Sequence, residues 1–174
     1  MRLRRPRLPD AVRKAADLGG GERVLAVADV TDGWTFATTH ALHVVTTLAD
    51  GGAPDTARRV AWTDVRSATT VPSERLLDVV LVDGARWSVP VGSAPGRLPQ
   101  AVRERVQNSV VHSRFVEVRR GKGVHVVARR TPEEQVSVQL AVDEGVDATE
   151  VGVADQVEQV RREMTADLRL GERP

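Results

Sequence analysis

Apolar and polar residues alternate with a period of two over most of the segment from residue 24 to residue 91. Neighbouring side chains of a strand point to opposite faces, so this period predicts strands with one buried face. The clearest pair is Leu76–Val82 and Ala85–Val91, which only Asp83-Gly84 separates. This dipeptide favours a two-residue hairpin turn. The whole segment predicts seven short antiparallel strands.

Segments that are predicted to be helical lie on both sides of this strand segment. Residues 9–18 predict a short helix that Gly19-Gly20-Gly21 ends. Residues 97–113 predict an amphipathic helix, because apolar residues recur there at steps of three and four. His112 would then lie in the last helical turn, where the helix dipole favours an imidazolium.

The chain after residue 113 alternates again. Residues 114–118, 124–128 and 136–142 predict a three-stranded meander. A last helix is predicted to begin near Asp147, with Asp147 and Glu150 in a capping-box arrangement. Its predicted apolar stripe consists of Val153, Val157, Val160 and Met164.

Three segments carry a resemblance to a known family: Gly21-Glu22-Arg23-Val24-Leu25, residues 38–45 (TTHALHVV) and Val60-Ala61-Trp62-Thr63-Asp64-Val65. In their order, and with a helix after them, they resemble bacterial pleckstrin-homology-like (PH-like) domains. The resemblance covers residues 21–113 and implies a seven-stranded antiparallel barrel or sandwich capped by a C-terminal helix. The expected fold class is mainly β (α+β). The expected organisation is a basic tail with a short helix (1–20), the PH-like domain (21–113), and a β-meander and amphipathic helix as an extension (114–174).

The resemblance does not carry the ligand of the best-known members. PH domains that bind phosphoinositides place lysines and arginines on the first two strands and the loop between them. Here that loop is Asp29-Val30-Thr31-Asp32-Gly33, which is acidic. Residues 97–113 also lack the tryptophan of the eukaryotic closing helix, which fits the bacterial branch.

The amino-acid composition excludes several classes of site and of protein. The 174 residues contain no cysteine, which excludes disulfides, thiolate metal sites and cysteine nucleophiles. No run approaches the ~20 apolar residues of a membrane helix, and the basic N-terminus is not followed by a signal-peptide stretch. A soluble, cytoplasmic protein is expected.

No catalytic or metal-binding pattern occurs in the sequence. His40 and His43 are an odd number of residues apart, so in a strand they face opposite sides and cannot chelate one ion together. His125 stands alone among valines. The sequence therefore predicts a protein that is not an enzyme, with no catalytic residue, no metal and no cofactor.

Charge is strongly segmented along the chain. Residues 1–14 carry six positive and one negative charge, residues 97–130 nine and two, and residues 131–163 two and nine. The acidic segment is expected to fold back on the basic one; the alternative is a basic face free for an anionic partner. The best binding candidates are the cations of two predicted turns: Arg119, Arg120, Lys122, Arg129 and Arg130.

The sequence thus predicts a non-catalytic PH-like binding or scaffold module with a protein or peptide partner. A homodimer through the C-terminal helix is a further expectation. The alternative function is an anionic-surface binder that holds nucleic acid or acidic lipid through segments 1–14 and 119–130. The α-β-β-β-α order of residues 97–163 matches double-stranded-RNA-binding domains, but the acidic start of the last helix would repel phosphates.

Overall fold

The structure is a computed structural model, and it describes residues 8–47, 54–131 and 133–171. The predicted basic tail, residues 1–7, lies outside the described residues. The elements in chain order are α1 (Asp10–Ala15), β1 (Val24–Val30), β2 (Gly33–Thr38), β3 (Ala41–Thr47), β4 (Pro54–Ala61), a 3-10 turn (Trp62–Asp64), β5 (Val65–Val71), β6 (Leu76–Leu81), β7 (Arg86–Pro90), α2 (Leu98–Ser109), β8 (Val110–Arg119), β9 (Lys122–Arg130), β10 (Val136–Val142) and α3 (Val151–Gly171).

The protein is mainly β, as predicted, and its strands form three antiparallel sheets. The first sheet has the order β1-β2-β3-β4, the second β5-β6-β7 and the third β10-β9-β8. All seven predicted strands before α2 are present. Within the described ranges no ladder joins the first sheet to the second, so the predicted barrel does not close. None of the described helices is long and apolar enough to cross a membrane.

The first core lies between the first two sheets and α2. Leu42 and Val60 from the first sheet, Val79 and Val89 from the second, and Val102 from α2 share one buried cluster. The three- and four-residue spacing of the apolar residues of α2 brings Leu98, Val102 and Val106 to the face that packs there. The alternation of the sequence therefore predicts the strands, but not the burial of all of them: β2 and β3 are buried at most positions, and β4 is exposed along most of its length.

The third sheet and α3 form a second core. Val124, Val126 and Ala128 of β9 pack with Val157 and Met164 of α3. The predicted apolar stripe of the last helix is therefore confirmed, and it is used within the chain. A homodimer through α3 stays a prediction that this packing does not test.

A third apolar cluster lies where α1 packs against the first sheet. Leu8, Val12 and Ala16 contact Phe36 and Val45. Gly33 begins β2 with φ +143°, and a Cβ there would lie 2.0 Å from the carbonyl oxygen of Val45. Only glycine lets β2 approach β3 this closely.

Two predicted helix boundaries are wrong. The helix predicted over residues 97–113 ends at Ser109, because the β-branched pair Val110-Val111 continues as β8. His112 therefore lies in a strand, paired with Ala128, and not in a last helical turn. The last helix begins at Val151, four residues after Asp147, whose carboxylate instead accepts hydrogen bonds from the N–H and hydroxyl of Thr149.

Candidate functional site

The five predicted binding residues do not form one surface. Arg119, Arg120 and Lys122 lie at the β8–β9 turn, whereas Arg129 and Arg130 lie at the opposite end of β9. The eight steps from Lys122 to Arg130 span about 26 Å at ~3.3 Å per residue. A single ligand group cannot contact both ends, so the two sets are separate sites at most.

Two donors of the β8–β9 turn already form hydrogen bonds within the chain. The N–H of Gly121 donates to the Glu117 carboxylate at 2.7 Å, and Lys122 Nζ donates to the carbonyl of Glu144 at 3.1 Å. The Gly121 N–H group, which could otherwise donate to an anion, is thus used within the turn. Arg119 and Arg120 are exposed, and neither forms an ion pair with a residue that the structure describes.

The acidic segment folds back on the basic one at Arg114. This residue of β8 pairs with Glu163 at 2.7 Å and Asp167 at 3.3 Å, both on α3. The expected contact between the two charge blocks is confirmed there. It stabilises the docking of α3 only modestly, because all three side chains are partly exposed.

The prediction that Arg129 binds a ligand at the surface is wrong, because its side chain is buried. This residue is only 4% exposed, and its guanidinium donates to Ser109 Oγ at 2.6 Å. Burial lowers the pKa of Arg129, and the Asp64 carboxylate opposes that effect. The side chain joins the end of α2 to the third sheet, which the alternation in β9 could have indicated. Arg130 is exposed and pairs with Glu134 at 3.1 Å.

A groove that the sequence prediction missed runs between β5 and α2. We call it the β5–α2 groove, and it has a volume of about 470 Å³. Its lining residues are Arg66, Ser67, Ala68, Thr69 and Thr70 from β5, and Pro99, Arg103, Val106 and Gln107 from α2. No sequence signal pointed to it, because these residues are ordinary members of an edge strand and a helix flank.

The strand side of the β5–α2 groove is a sheet edge. In the described part of the chain β5 pairs only with β6, so the outer backbone groups of β5 have no strand partner. Ser67, Thr69 and Thr70 are exposed, and Val106 is a buried apolar residue beside them. An open edge beside an apolar residue can accept a further strand from another chain.

A cavity of about 770 Å³ lies elsewhere, where β1, β3 and β7 end and β6 begins. Its charged lining consists of Asp29, Asp32, Glu74 and Arg75. The acidic β1–β2 loop predicted from the sequence therefore faces this cavity. A net negative lining does not attract phosphate groups, which agrees with the expectation that phosphoinositides do not bind there.

His40, His43 and His125 occupy three separate environments. His43 is buried and hydrogen-bonded to Glu22 at 3.0 Å, whereas His40 is half-buried in another cleft. His125 lies 3.6 Å from Asp143 and beside the ring of Phe115. Among the residues described, no group of three or more acidic or histidine side chains could hold a metal ion.

Comparison with family models, curated proteins and solved structures finds no match for this chain.

Proposed function

We propose that the protein is a non-catalytic binding module of PH-like architecture, and that it binds an extended peptide segment of a protein partner in the β5–α2 groove. The observation that carries the proposal is the unpaired edge of β5 beside the flank of α2. The arrangement of four strands, three strands and a helix around one core supports the PH-like part. A bacterial, cytoplasmic setting belongs to the same proposal.

The backbone of β5 would provide most of the affinity. Main-chain hydrogen bonds to an added strand do not depend on the partner's sequence, and the exposed hydroxyl side chains Ser67, Thr69 and Thr70 leave room for them. A register shift between Val65 and Ser67 interrupts the pairing with β6 at the start of β5. The added strand would therefore follow the regular part, residues 67–71.

The flank of α2 would provide selectivity. Arg103 and Gln107 are exposed, four residues apart, and line the groove on the helix side. At 100° per residue they lie on the same side of the helix. Arg66 also lines the groove but is paired with Asp143, whereas Arg103 forms no ion pair within the described ranges; among the described lining residues there is no carboxylate. We therefore expect a partner segment whose groove-facing side chains, at every second position, include both apolar and acidic residues.

Peptides selected from a random library against the immobilised protein test the proposal. We expect selected sequences with apolar and acidic residues together among every second position, and we expect Arg103→Glu/Gln107→Glu to weaken their binding about tenfold or more through charge repulsion. Arg105→Gln, on the opposite flank of α2, is the matched control and should leave their binding unchanged. Equal binding to the wild type and to the double variant would exclude the groove.

The alternative function, binding of nucleic acid or acidic lipid through segments 1–14 and 119–130, stays a prediction. The exposed Arg119 and Arg120 favour it. Two observations weigh against one continuous basic surface. Arg129 lies far from the turn, and Gly121 and Lys122 already donate to the Glu117 carboxylate and the backbone carbonyl of Glu144.

A further inference from the structure

A second cleft lies at the junction between the first core and the third sheet. We call it the junction cleft, and it has a volume of about 360 Å³. The turn before β1, the β2–β3 turn, the end of α2 and the end of β9 converge there. The lining side chains that carry the argument are Arg23, His40, Arg105, Asn108, Ser109 and Arg130.

The junction cleft and the β5–α2 groove lie on opposite flanks of α2. Arg105 lines the junction cleft and Arg103 lines the groove. A step of two residues turns a helix by about 200°. Hence a change at one of these arginines alters one site and leaves the other intact.

The charged side chains that line the junction cleft are mainly cationic. Arg130 pairs with Glu134, which also lines the cleft, and Glu133 is a further carboxylate close to His40. Arg23 and Arg105, in contrast, form no ion pair with any residue in the described ranges. Two guanidinium groups thus line the cleft without a carboxylate partner.

The wall of the cleft adds a buried cation. Ser109 lines the cleft, and its hydroxyl accepts from the guanidinium of Arg129, which is 4% exposed. The partial negative charge at the C-terminal end of α2 accounts for part of this placement. It does not account for Arg23, which precedes β1. The Asp64 carboxylate offsets part of the cost of burying the Arg129 guanidinium, and an anion in the cleft would reduce that cost further.

We propose that the junction cleft binds an oxyanion of the phosphate class between the guanidinium groups of Arg23 and Arg105. Arginine presents planar pairs of N–H donors that match phosphate oxygens and form strong, charge-assisted hydrogen bonds. The Asn108 amide supplies a neutral donor in the same cleft. The volume of the cleft exceeds that of a single phosphate, so the cleft also has room for the organic group of a phosphate ester. This site is independent of the proposed peptide groove.

Amide chemical shifts of the full-length protein test this site, with inorganic phosphate and pyrophosphate titrated at constant ionic strength. We expect saturable shifts at residues 39–40 and 108–109 in the wild type. Arg105→Gln should weaken phosphate binding about tenfold or more, since it removes a charged hydrogen-bond donor. Arg103→Gln is the matched control and should leave phosphate binding unchanged.

Two further arms complete the test. Arg23→Gln changes an exposed side chain outside any helix, so it reports on the site if Arg105→Gln perturbs α2. Glycerol phosphate and a phosphoserine peptide distinguish a free phosphate ester from a phosphorylated partner. Non-saturable shifts in the wild type, or equal affinity of the wild type, Arg105→Gln and Arg23→Gln for phosphate, would overturn the proposal.

Discussion

Arg66 of β5 and Asp143, directly after β10, form an ion pair that joins the second sheet to the third. Arg66 also donates to the carbonyl of Val142 at 3.3 Å, and Asp143 accepts from the N–H of Gly123 at 3.0 Å. Arg66 in addition lines the β5–α2 groove. The contact that fixes the extension therefore also fixes one end of the proposed peptide site.

Arg66→Gln should lower the free energy of unfolding by about 1 kcal/mol. The pair is partly shielded, since the two side chains are 28% and 19% exposed, so its loss costs more than that of a surface pair. Arg86→Gln breaks the more exposed pair with Asp78 and is the control, with an expected loss of about 0–0.5 kcal/mol. Urea unfolding of both variants measures the difference, and equal losses would contradict the structural role of Arg66.

The buried pair Glu22 and His43 should make stability fall as pH falls from 7 to 4. Burial lowers the pKa of His43 from 6.5, against the raising effect of Glu22. Burial opposes ionisation of Glu22, but hydrogen bonds from Thr38 and His43 outweigh it, so its pKa lies below 4.5.

Because both pKa values are lowered in the folded protein, His43 and Glu22 both make the free energy of unfolding smaller as pH falls. The unfolded chain takes up a proton at His43 below pH 6.5 and at Glu22 below pH 4.5, and the folded protein resists both events. Their stabilising effect is therefore present at neutral pH and lost in acid. Urea unfolding at pH 7, 6, 5 and 4 should show a weaker dependence in His43→Gln between pH 7 and 5. The same slope in wild type and variant would refute the assignment.

Gly33→Ala and Gly123→Ala should each destabilise the protein by about 2 kcal/mol or more. A Cβ at Gly123 would lie 2.0 Å from the carbonyl oxygen of Val116, as at Gly33 with Val45, and backbone must move in both cases. Gly20→Ala is the control, because no atom of the described part of the chain lies within 4 Å of its Cβ position. Thermal unfolding measures the effects; a Gly123→Ala protein as stable as Gly20→Ala would contradict the close approach of β8 and β9.

The triple variant Arg119→Ala/Arg120→Ala/Lys122→Ala distinguishes the two proposed functions. Under the peptide-binding proposal it should change the affinity for selected peptides less than about twofold, because the turn lies outside the groove. Retention on heparin at low salt measures the alternative. Strong retention of the wild type that the triple variant loses, together with unchanged peptide binding, would establish the turn as a second, anionic-ligand surface.

The spacing of apolar residues and the residues typical of turns predicted most of the strands and helices. The Asp83-Gly84 dipeptide predicted the β6–β7 hairpin, and the stripe that includes Val157 and Met164 predicted the packing of α3. The predicted two-residue turn is wrong, because Leu81 and Ala85 close a three-residue loop in which Gly84 has φ +87° and Asp83 has no positive φ. The end of α2 was predicted wrongly because Val110 continues the helical spacing although Val111 favours a strand. Local spacing cannot decide between the two when tertiary pairing with β9 does.

The candidate sites were less predictable, because they depend on contacts between distant segments. Arg129 and Arg130 are adjacent in sequence, yet β-strand alternation buries one against Ser109 and exposes the other. Arg23 and Arg105 line one cleft although they are 82 positions apart along the chain. A charge count over sequence windows cannot detect such a pair.

Hydrogen exchange of the complex with a library-selected peptide tests the central claim most directly. The account predicts slower exchange of β5 amides within residues 67–71, and of the α2 flank near Arg103, than in the free protein. The effect should be absent when the same peptide is added to Arg103→Glu/Gln107→Glu. Protection confined to the 119–123 turn or to the acidic 29–32 loop, with β5 unchanged, would contradict the claim that the β5–α2 groove binds the partner.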